Sequence, residues 1–461
     1  MFSLKQETPV KELLNNTAAR AAQYLETVGS RSVAPAPKEV ARLDALGGPL
    51  PQSPCDPGEL LALLDDVGSP ATVATTGGRY FGFVIGGTLP AALAANWLAG
   101  VWDQNAAMQV MSPVAAKVEE IVLGWIVDLL GLPAGSGAGF VTGTTMANFS
   151  GLAAARTAIL KRQGWNIEED GLFGAPEITV VVGEEVHVSV LKALTLLGLG
   201  RNRVIRVPTD EQGRMRADAV PKLDECTIVC IQAGNVNTGA FDPAQKICAK
   251  ARATGAWVHV DGAFGLWGAV SPLYAPLLEG VSAADSWAID CHKWLNVPYD
   301  SGIVVVCKPE HLRTAMSWGS APYLTQGAGR EPCQYTPEAS RRARGMELWA
   351  ALRSLGRDGL RELIERSCRQ ARLFADRLRA GGADVLNDVV LSQVLVSFGS
   401  TEETWRVITE LQKGGTCWCG GTQWHGHTAM RISVSSWATT DDDVEKSAAA
   451  MLRIAQAVKT G

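Results

Sequence analysis

Neither sign of charge dominates this chain: 42 lysines and arginines face 47 aspartates and glutamates over 461 residues, a formal net charge of -5. That balance leaves no basic face for nucleic acid or an anionic membrane and favours a small-molecule partner. A disulfide framework is also missing. The ten cysteines are scattered at 55, 226, 230, 248, 291, 307, 333, 368, 417 and 419. A chain this long buries its core without covalent staples, so reduced thiols and a cytoplasmic setting are expected. Cys417-Trp418-Cys419 and His425-Gly426-His427 do not follow a usual zinc spacing, and two cysteines one residue apart are tight for one ion, so no metal is expected. The first seven residues acquire charges before any apolar core could form, so neither a signal peptide nor a membrane anchor is expected there. Internal repeats and low-complexity tracts are absent.

One long uncharged run is present, from Phe81 to Trp102. Gly82, Gly86, Gly87, Pro90 and Asn96 interrupt it, and a glycine-and-proline turn in its first half would break a spanning helix. A buried loop followed by a helix, in the core or at a subunit interface, is expected instead of a membrane span.

Residues 1–60 read as a helical arm: Leu13, Leu14, Ala18, Ala21, Ala22 and Leu25 recur at helical spacing, and a proline-rich turn region follows. Such an arm buries too little surface to stand alone and should lie on the body or on a second subunit. Residues 61–315 alternate helices with short apolar strands, at 139–142, 178–182, 203–207, 227–232, 257–261, 286–289 and 302–307, with a helical stretch expected at 273–279. This is an α/β pattern whose mainly parallel sheet is covered on both faces and takes ligands beyond the carboxyl ends of its strands. Residues 316–339, with Tyr323 and Tyr335, read as a long irregular loop of the kind that carries function. Residues 340–461 form a smaller C-terminal α/β domain, its last helix capped by Thr440-Asp441-Asp442-Asp443.

Within this frame, several strand ends carry chemistry. Lys293 follows the strand-like Ser286-Trp287-Ala288-Ile289 in a setting whose one charge is Asp290, and Asp261 ends the strand Trp257–Asp261. A lysine able to lose its proton and an aspartate able to pair a pyridinium N–H are what pyridoxal phosphate needs from a protein. Ala263 is small enough for a flat ring to rest on. His187 follows another strand to the same edge, where an imidazole could stack on that ring. Gly143-Thr144-Thr145 joins a strand to a helix, the junction at which backbone N–H groups and hydroxyls hold phosphate. Gly137-Ala138-Gly139 begins like a dinucleotide fingerprint, but Thr142 stands in place of the third glycine, which argues against NAD.

Taken together, Gly143-Thr144-Thr145-Met146-Ala147-Asn148, His187, Ala233-Gly234 with Thr238-Gly239-Ala240-Phe241-Asp242, His259-Val260-Asp261-Gly262-Ala263 and His292-Lys293-Trp294 occur in the order of the group II pyridoxal-phosphate-dependent amino acid decarboxylases. The sequence resembles that family, which includes aromatic amino acid and glutamate decarboxylases, from about Tyr80 to the last helix. The resemblance implies the fold type I, aspartate aminotransferase-like architecture, and a homodimer with sites at the subunit interface. It also implies pyridoxal 5'-phosphate as cofactor. By position, Lys293 would carry the cofactor covalently, Asp261 would bond its pyridine nitrogen, and His187 and Ala263 would flank the ring. Gly143, Thr144 and Thr145 would hold the phosphate with His292 nearby. Arg431 matches an arginine that meets the substrate carboxylate, and Tyr335, with Tyr323 as the other candidate, would return the proton. Asp290-Cys291 departs from the asparagine-proline of better-known members, and a carboxylate at 290 would repel phosphate. Phe83 stands where glutamate decarboxylases offer a polar group, which favours an aromatic or bulky apolar amino acid, with Trp294, Trp318 and Trp424 compatible. The alternatives are a carbon-carbon lyase or aldehyde-forming relative of the same fold, and a decarboxylase of glutamate or aspartate.

Overall fold

Val, Ile and Trp in runs of five or six residues build the centre of the molecule, and the computed structural model, which describes residues 8–317 and 329–460, shows why they are continuous rather than alternating. Seven strands form one sheet: β1 (Gly137–Val141), β2 (Thr179–Gly183), β3 (Ile205–Val207), β4 (Thr227–Gln232), β5 (Trp257–Asp261), β6 (Ser286–Asp290) and β7 (Gly302–Val306). Their spatial order is β1-β7-β6-β5-β4-β2-β3. Strands β3, β2, β4, β5 and β6 are parallel neighbours, and β7 runs antiparallel between β6 and β1. Successive residues feed opposite faces, as the two-residue strand period requires. Val181, Val229, Val260, Trp287 and Ile289 enter one core, whereas Val180, Val182, Ile228, Cys230 and Ala288 enter the other. Both faces are covered, so no polar alternation is needed. The helix Thr144–Arg162 is buried along nearly its whole length against the second face.

A four-stranded antiparallel sheet lies toward the C-terminus: β8 (Asp384–Val385), β9 (Gln393–Ser397), β10 (Gly420–Trp424) and β11 (His427–Ser433), in the order β10-β11-β9-β8. The helix Gly345–Ala380 joins the two parts. Leu348, Leu360 and Ile364 pack in the large core and Phe374 and Leu378 in the small one, with a break at Gly356, where φ is 62°. Chain from the other side of the expected boundary at 340 also enters the small unit: Phe81 is buried in its core, and Tyr80 bridges Trp418 in parallel.

Local chemistry explains where elements start and stop. The Thr440 hydroxyl accepts from the Asp443 N–H, and the Asp443 carboxylate accepts from the Thr440 N–H, closing a reciprocal cap on the helix Asp441–Thr460. Residues 273–279 form only the 3-10 turn Ala275–Leu278: Pro276 supplies no N–H, and Gly280 turns the chain at φ 85°. The run Phe81–Trp102 resolves into a loop and the helix Pro90–Trp102, and among the described residues no helix is long and apolar enough to cross a membrane. The arm helix Val10–Thr27 buries none of its residues fully and is tied to the helix Pro57–Ala71 by Arg20, which pairs with Asp65 and Asp66 at 2.9 and 2.7 Å.

Candidate active site

The register of the large sheet brings the carboxyl ends of β1, β2, β4, β5 and β6 to one edge, with Val141 and Asp290 both opposite Gly302. Gly143, Thr144, His187, Asp261, Ala263, His292 and Lys293 therefore converge there although their strands are not consecutive in space.

Asp290 is the centre of one half of the site. Its Oδ2 lies 2.7 Å from Lys293 Nζ, its Oδ1 accepts from the Thr144 backbone N–H at 2.6 Å, and His292 Nε2 stands 3.4 Å from that same oxygen. The first N–H groups of a helix have no partner within it, so this carboxylate caps the helix Thr144–Arg162 across the sheet. Burial alone would raise the Asp290 carboxyl; Lys293, His292 and the hydrogen bonds from Lys293 and Thr144 outweigh it and hold it below its ordinary value. Burial pushes the His292 imidazole down, against Asp290. Its Nδ1 accepts from the Ser301 N–H at 3.1 Å, which leaves Nε2 as the protonated nitrogen facing Asp290.

Asp261 anchors the other half. It is buried and surrounded by neutral donors: Oδ2 accepts from Asn148 Nδ2 at 3.1 Å and lies 3.4 Å from Ser189 Oγ, and Oδ1 accepts from the Ala263 N–H at 3.2 Å. The Ala263 carbonyl accepts from the Asp290 N–H, tying the two halves together. His187 caps the helix Val188–Leu196, its Nδ1 accepting from the Ser189 N–H and lying 2.8 Å from Ser189 Oγ. Burial lowers its pKa, opposed by Asp261, so the ring is held neutral.

The residues expected to hold a phosphate leave room and donors for one. Among the described residues Thr144 Oγ1 is buried without a partner, Thr145 is exposed beside it, and a Cβ on Gly143 would come within 2.9 Å of His292 Cε1 and 3.2 Å of Asp290 Oδ1. With Lys293 partly buried at the same edge and Asp261 behind it, the donor set fits pyridoxal 5'-phosphate. The Asp290 carboxylate is the one feature that opposes a phosphate.

An aromatic stack lies at the start of the loop that meets the lysine segment. Trp418 stacks on Tyr80 at 5.0 Å and on Phe83 at 5.3 Å between ring centroids. Phe83 is 61% exposed, and it and Val84 both take left-handed backbone angles (φ 54° and 56°), a conformation that is strained for non-glycine residues. The loop is pinned to the lysine segment: Asn296 Oδ1 accepts from the Gly87 N–H at 2.6 Å, and the Asn296 N–H bonds the Lys293 carbonyl. Tyr299 places its ring 4.4 Å from that of His292.

Arg431 on β11 is partly buried, its Nη1 3.4 Å from Asn237 Oδ1. Among the described residues it pairs with no carboxylate, and burial lowers its pKa. Tyr335 does not join the cluster. It is buried in the core on the helix 144–162 face of the sheet, under the Arg330 guanidinium at 4.4 Å. Tyr323 and Trp318 lie outside the described residues. Trp294 and Trp424, expected as compatible with a substrate pocket, are core residues at 0% and 4% exposure. Sequence reading missed the roles of Trp418, Ser189 and Asn148. Asn148, in the first turns of the helix after the glycine, was the one with a readable signal. Among the described residues no three potential metal ligands come together.

Comparison with known proteins agrees with this geometry. The pyridoxal-dependent decarboxylase conserved domain matches residues 56–399. Aspartate 1-decarboxylase of Aliivibrio fischeri is 32% identical over 257 residues, 52% of this chain and 46% of that protein, so the match spans about half of that relative's length. Tryptophan decarboxylase 1 of Oryza sativa subsp. japonica is 28% identical over 400 residues, covering 78% of this chain and 76% of the relative. The solved structure of Oryza sativa TDC with PLP and tryptamine superposes with a TM-score of 0.90 over 99% of both chains at 22% identity, a likeness of fold. With the family domain matched over well more than half its length, the chain belongs to the pyridoxal-dependent decarboxylases, and its cofactor is pyridoxal 5'-phosphate.

Proposed function

We propose that the protein decarboxylates an L-amino acid to its amine and carbon dioxide, with an aromatic or bulky apolar amino acid as substrate. The observation that carries the substrate class is the Tyr80–Trp418–Phe83 stack, whose outermost ring, Phe83, is exposed on a strained backbone in the loop pinned to the lysine segment. Such a wall would desolvate a charged side chain at a cost and pack well on a ring.

When bound, the cofactor supplies an electron sink for the bond broken at the substrate's alpha carbon. The chain's own groups would do the rest. Lys293 is the covalent anchor, held at the sheet edge by Asp290. Asp261 would partner the pyridine nitrogen, neutral His187 would stack on one face of the ring, and Ala263 would back the other. Gly143, Thr144, Thr145 and His292 hold the phosphate. Arg431 receives the substrate carboxylate and Phe83 its side chain, which orients the scissile bond and keeps water from it. A second reading, an acidic substrate, rests on Arg431, whose lack of a carboxylate partner would equally suit a distal carboxylate.

A second copy of the chain completes the proposal. Trp97, Leu98, Val101 and Trp102 on the helix Pro90–Trp102 are 44, 52, 67 and 47% exposed, an apolar face suited to a homodimer; a monomeric mass in solution would remove it.

The test is carbon dioxide release from the standard amino acids with added pyridoxal phosphate, wild type against Lys293→Ala. Release from an aromatic or bulky apolar amino acid, lowered at least roughly a hundredfold in the variant, is expected. Aspartate or glutamate as the best substrate would sink the wall argument. Aldehyde instead of amine, or no release at all, would favour the aldehyde-forming or lyase reading.

A further inference from the structure

Behind Asp261 a line of polar side chains crosses the core. Trp257 Nε1 lies 2.9 Å from Ser286 Oγ, Ser286 Oγ 2.8 Å from His259 Nδ1, and His259 Nε2 2.8 Å from Asn148 Oδ1. Asn148 Nδ2 then reaches both Asp261 Oδ2 and Ser189 Oγ at 3.1 Å, and Ser189 Oγ meets His187 Nδ1. Trp257, Ser286, His259, Asn148 and Ser189 are all buried, at 5, 0, 0, 0 and 6% exposure.

The polarity of the line is fixed from Trp257 to Asn148. A carboxylate can only accept, so Asn148 turns its amide N–H bonds toward Asp261 and its oxygen toward His259 Nε2, while an indole N–H can only donate, so Ser286 accepts from Trp257 and keeps its own proton for His259 Nδ1. That puts the histidine proton on Nε2, where it donates to the Asn148 carbonyl oxygen. Both Asn148 N–H bonds are thus spent, one on Asp261 and one on Ser189, and the one Ser189 proton has two acceptors within reach, His187 Nδ1 at 2.8 Å and Asp261 Oδ2 at 3.4 Å. Burial drives the His259 pKa down to about 4, so the ring stays neutral and keeps that single tautomer. Helix and strand are shaped around it: a Cβ on Gly151 would stand 2.8 Å from His259 Cε1 and 3.0 Å from Nδ1.

We propose that Asn148 and His259 are positioning residues, a relay that fixes which groups Asp261 and His187 present to the cofactor ring. This rests on the assignment of Asp261 to the pyridine nitrogen made above. Two strands and a helix with no direct cofactor contact of their own at these positions thereby set the cofactor's electronic environment.

The test uses the full-length holoprotein and two readouts besides turnover: the dissociation constant of pyridoxal phosphate, and the pH titration of the bound cofactor's visible absorption. Asn148→Asp keeps the shape but sets a carboxylate against Asp261. It is expected to weaken cofactor binding roughly tenfold and to shift the titration by about one pH unit. His259→Leu should do the same to a smaller degree. His259→Gln, whose amide can still donate to Asn148 and accept from Ser286, should behave as wild type. Adding Asn148→Asp to Asp261→Asn should cost less than the two effects summed, because the branch of the relay that runs through Asp261 is already lost; what remains reads the branch through Ser189 to His187. Gly151→Ala, whose Cβ would press on His259 Cε1 and Nδ1 and so displace the ring from its place in the line, gives an independent variant should Asn148→Asp not fold. Wild-type affinity and titration in folded Asn148→Asp and His259→Leu, with Asp261→Asn impaired, would overturn the relay alone. An Asp261→Asn that titrates as wild type would overturn the Asp261 assignment and the relay with it.

Discussion

Two aspartates end adjacent parallel strands, Asp261 on β5 and Asp290 on β6, and the chain satisfies them in opposite ways. Asp261 is held by an asparagine amide, a serine hydroxyl and a backbone N–H, none of them charged. Asp290 is held by a lysine ammonium, a histidine and the N-terminal N–H of a helix. A carboxylate among neutral donors keeps its charge free to meet a cationic ring nitrogen. One already paired with a cation instead positions that cation. The two are buried to a similar degree, so the difference in partners is what would separate the proposed cofactor ligand from a counterion.

The largest effect should come from breaking the charged half. Asp290→Ala leaves the Lys293 ammonium without its partner in a site where the two side chains are 18% and 4% exposed, and about 3 kcal/mol of folding stability should be lost. Asp290→Asn keeps an acceptor for the Thr144 N–H, so its loss should be smaller. Removing a negative charge from the phosphate cradle should also tighten pyridoxal phosphate binding about tenfold. Denaturant unfolding of the cofactor-free protein and cofactor titration read the two effects separately. Weaker binding by Asp290→Asn would show that the carboxylate assists the cofactor instead of opposing it.

Next in size is the acid response of the neutral half. His259, with a folded pKa of about 4 against an ordinary 6.5, takes up its proton in the unfolded chain well before it does in the folded one. Its stabilising contribution is therefore complete above about pH 6.5 and shrinks as the pH falls toward 4, by about 3 kcal/mol at most. His187 and His292 are lowered too and add with the same sign. Asp290, held below its ordinary value, loses its share only at still lower pH. His259→Gln should flatten unfolding free energy against pH between 6.5 and 4; an unchanged slope would mean that the histidine reaches water.

How much of this was legible beforehand follows the same division. Lys293, Asp261, His187 and Gly143-Thr144-Thr145 could be read because each follows a recognisable apolar strand, and parallel topology sends all strand ends to one edge. The continuous burial of β4 through β7 was equally plain in their composition. Partners contributed by remote segments could not be read. Trp418 reaches Tyr80 and Phe83 only because β10 is preceded by a stretch that bridges residue 80, a pairing no local pattern announces. Asp290 stood out as an unusual neighbour of a phosphate, but its capping of a helix from another strand needed the register of β1, β7 and β6. Trp294 and Trp424 show the converse: a tryptophan beside a motif filled the core.

Tyr335 is the smallest expected effect and tests whether any group outside these two carboxylate clusters acts in the single chain. A tyrosine in an irregular stretch has no periodicity to say which way it faces, so the loop reading and the family resemblance together made it a candidate proton donor. In the fold it is 8% exposed, in the 3-10 turn Pro332–Tyr335, with Arg330 stacked over its ring and its backbone against β1. No contact joins it to Lys293, Asp290 or Asp261. A residue placed to pack should tolerate loss of its hydroxyl, so Tyr335→Phe is expected to change stability by less than about 1 kcal/mol and to leave the ratio of amine to aldehyde as in wild type. A variant that binds cofactor normally but diverts product to aldehyde would return the donor role to Tyr335. Because the ring is buried within its own chain, that result would require the turn Pro332–Tyr335 to leave its seat on β1 during turnover.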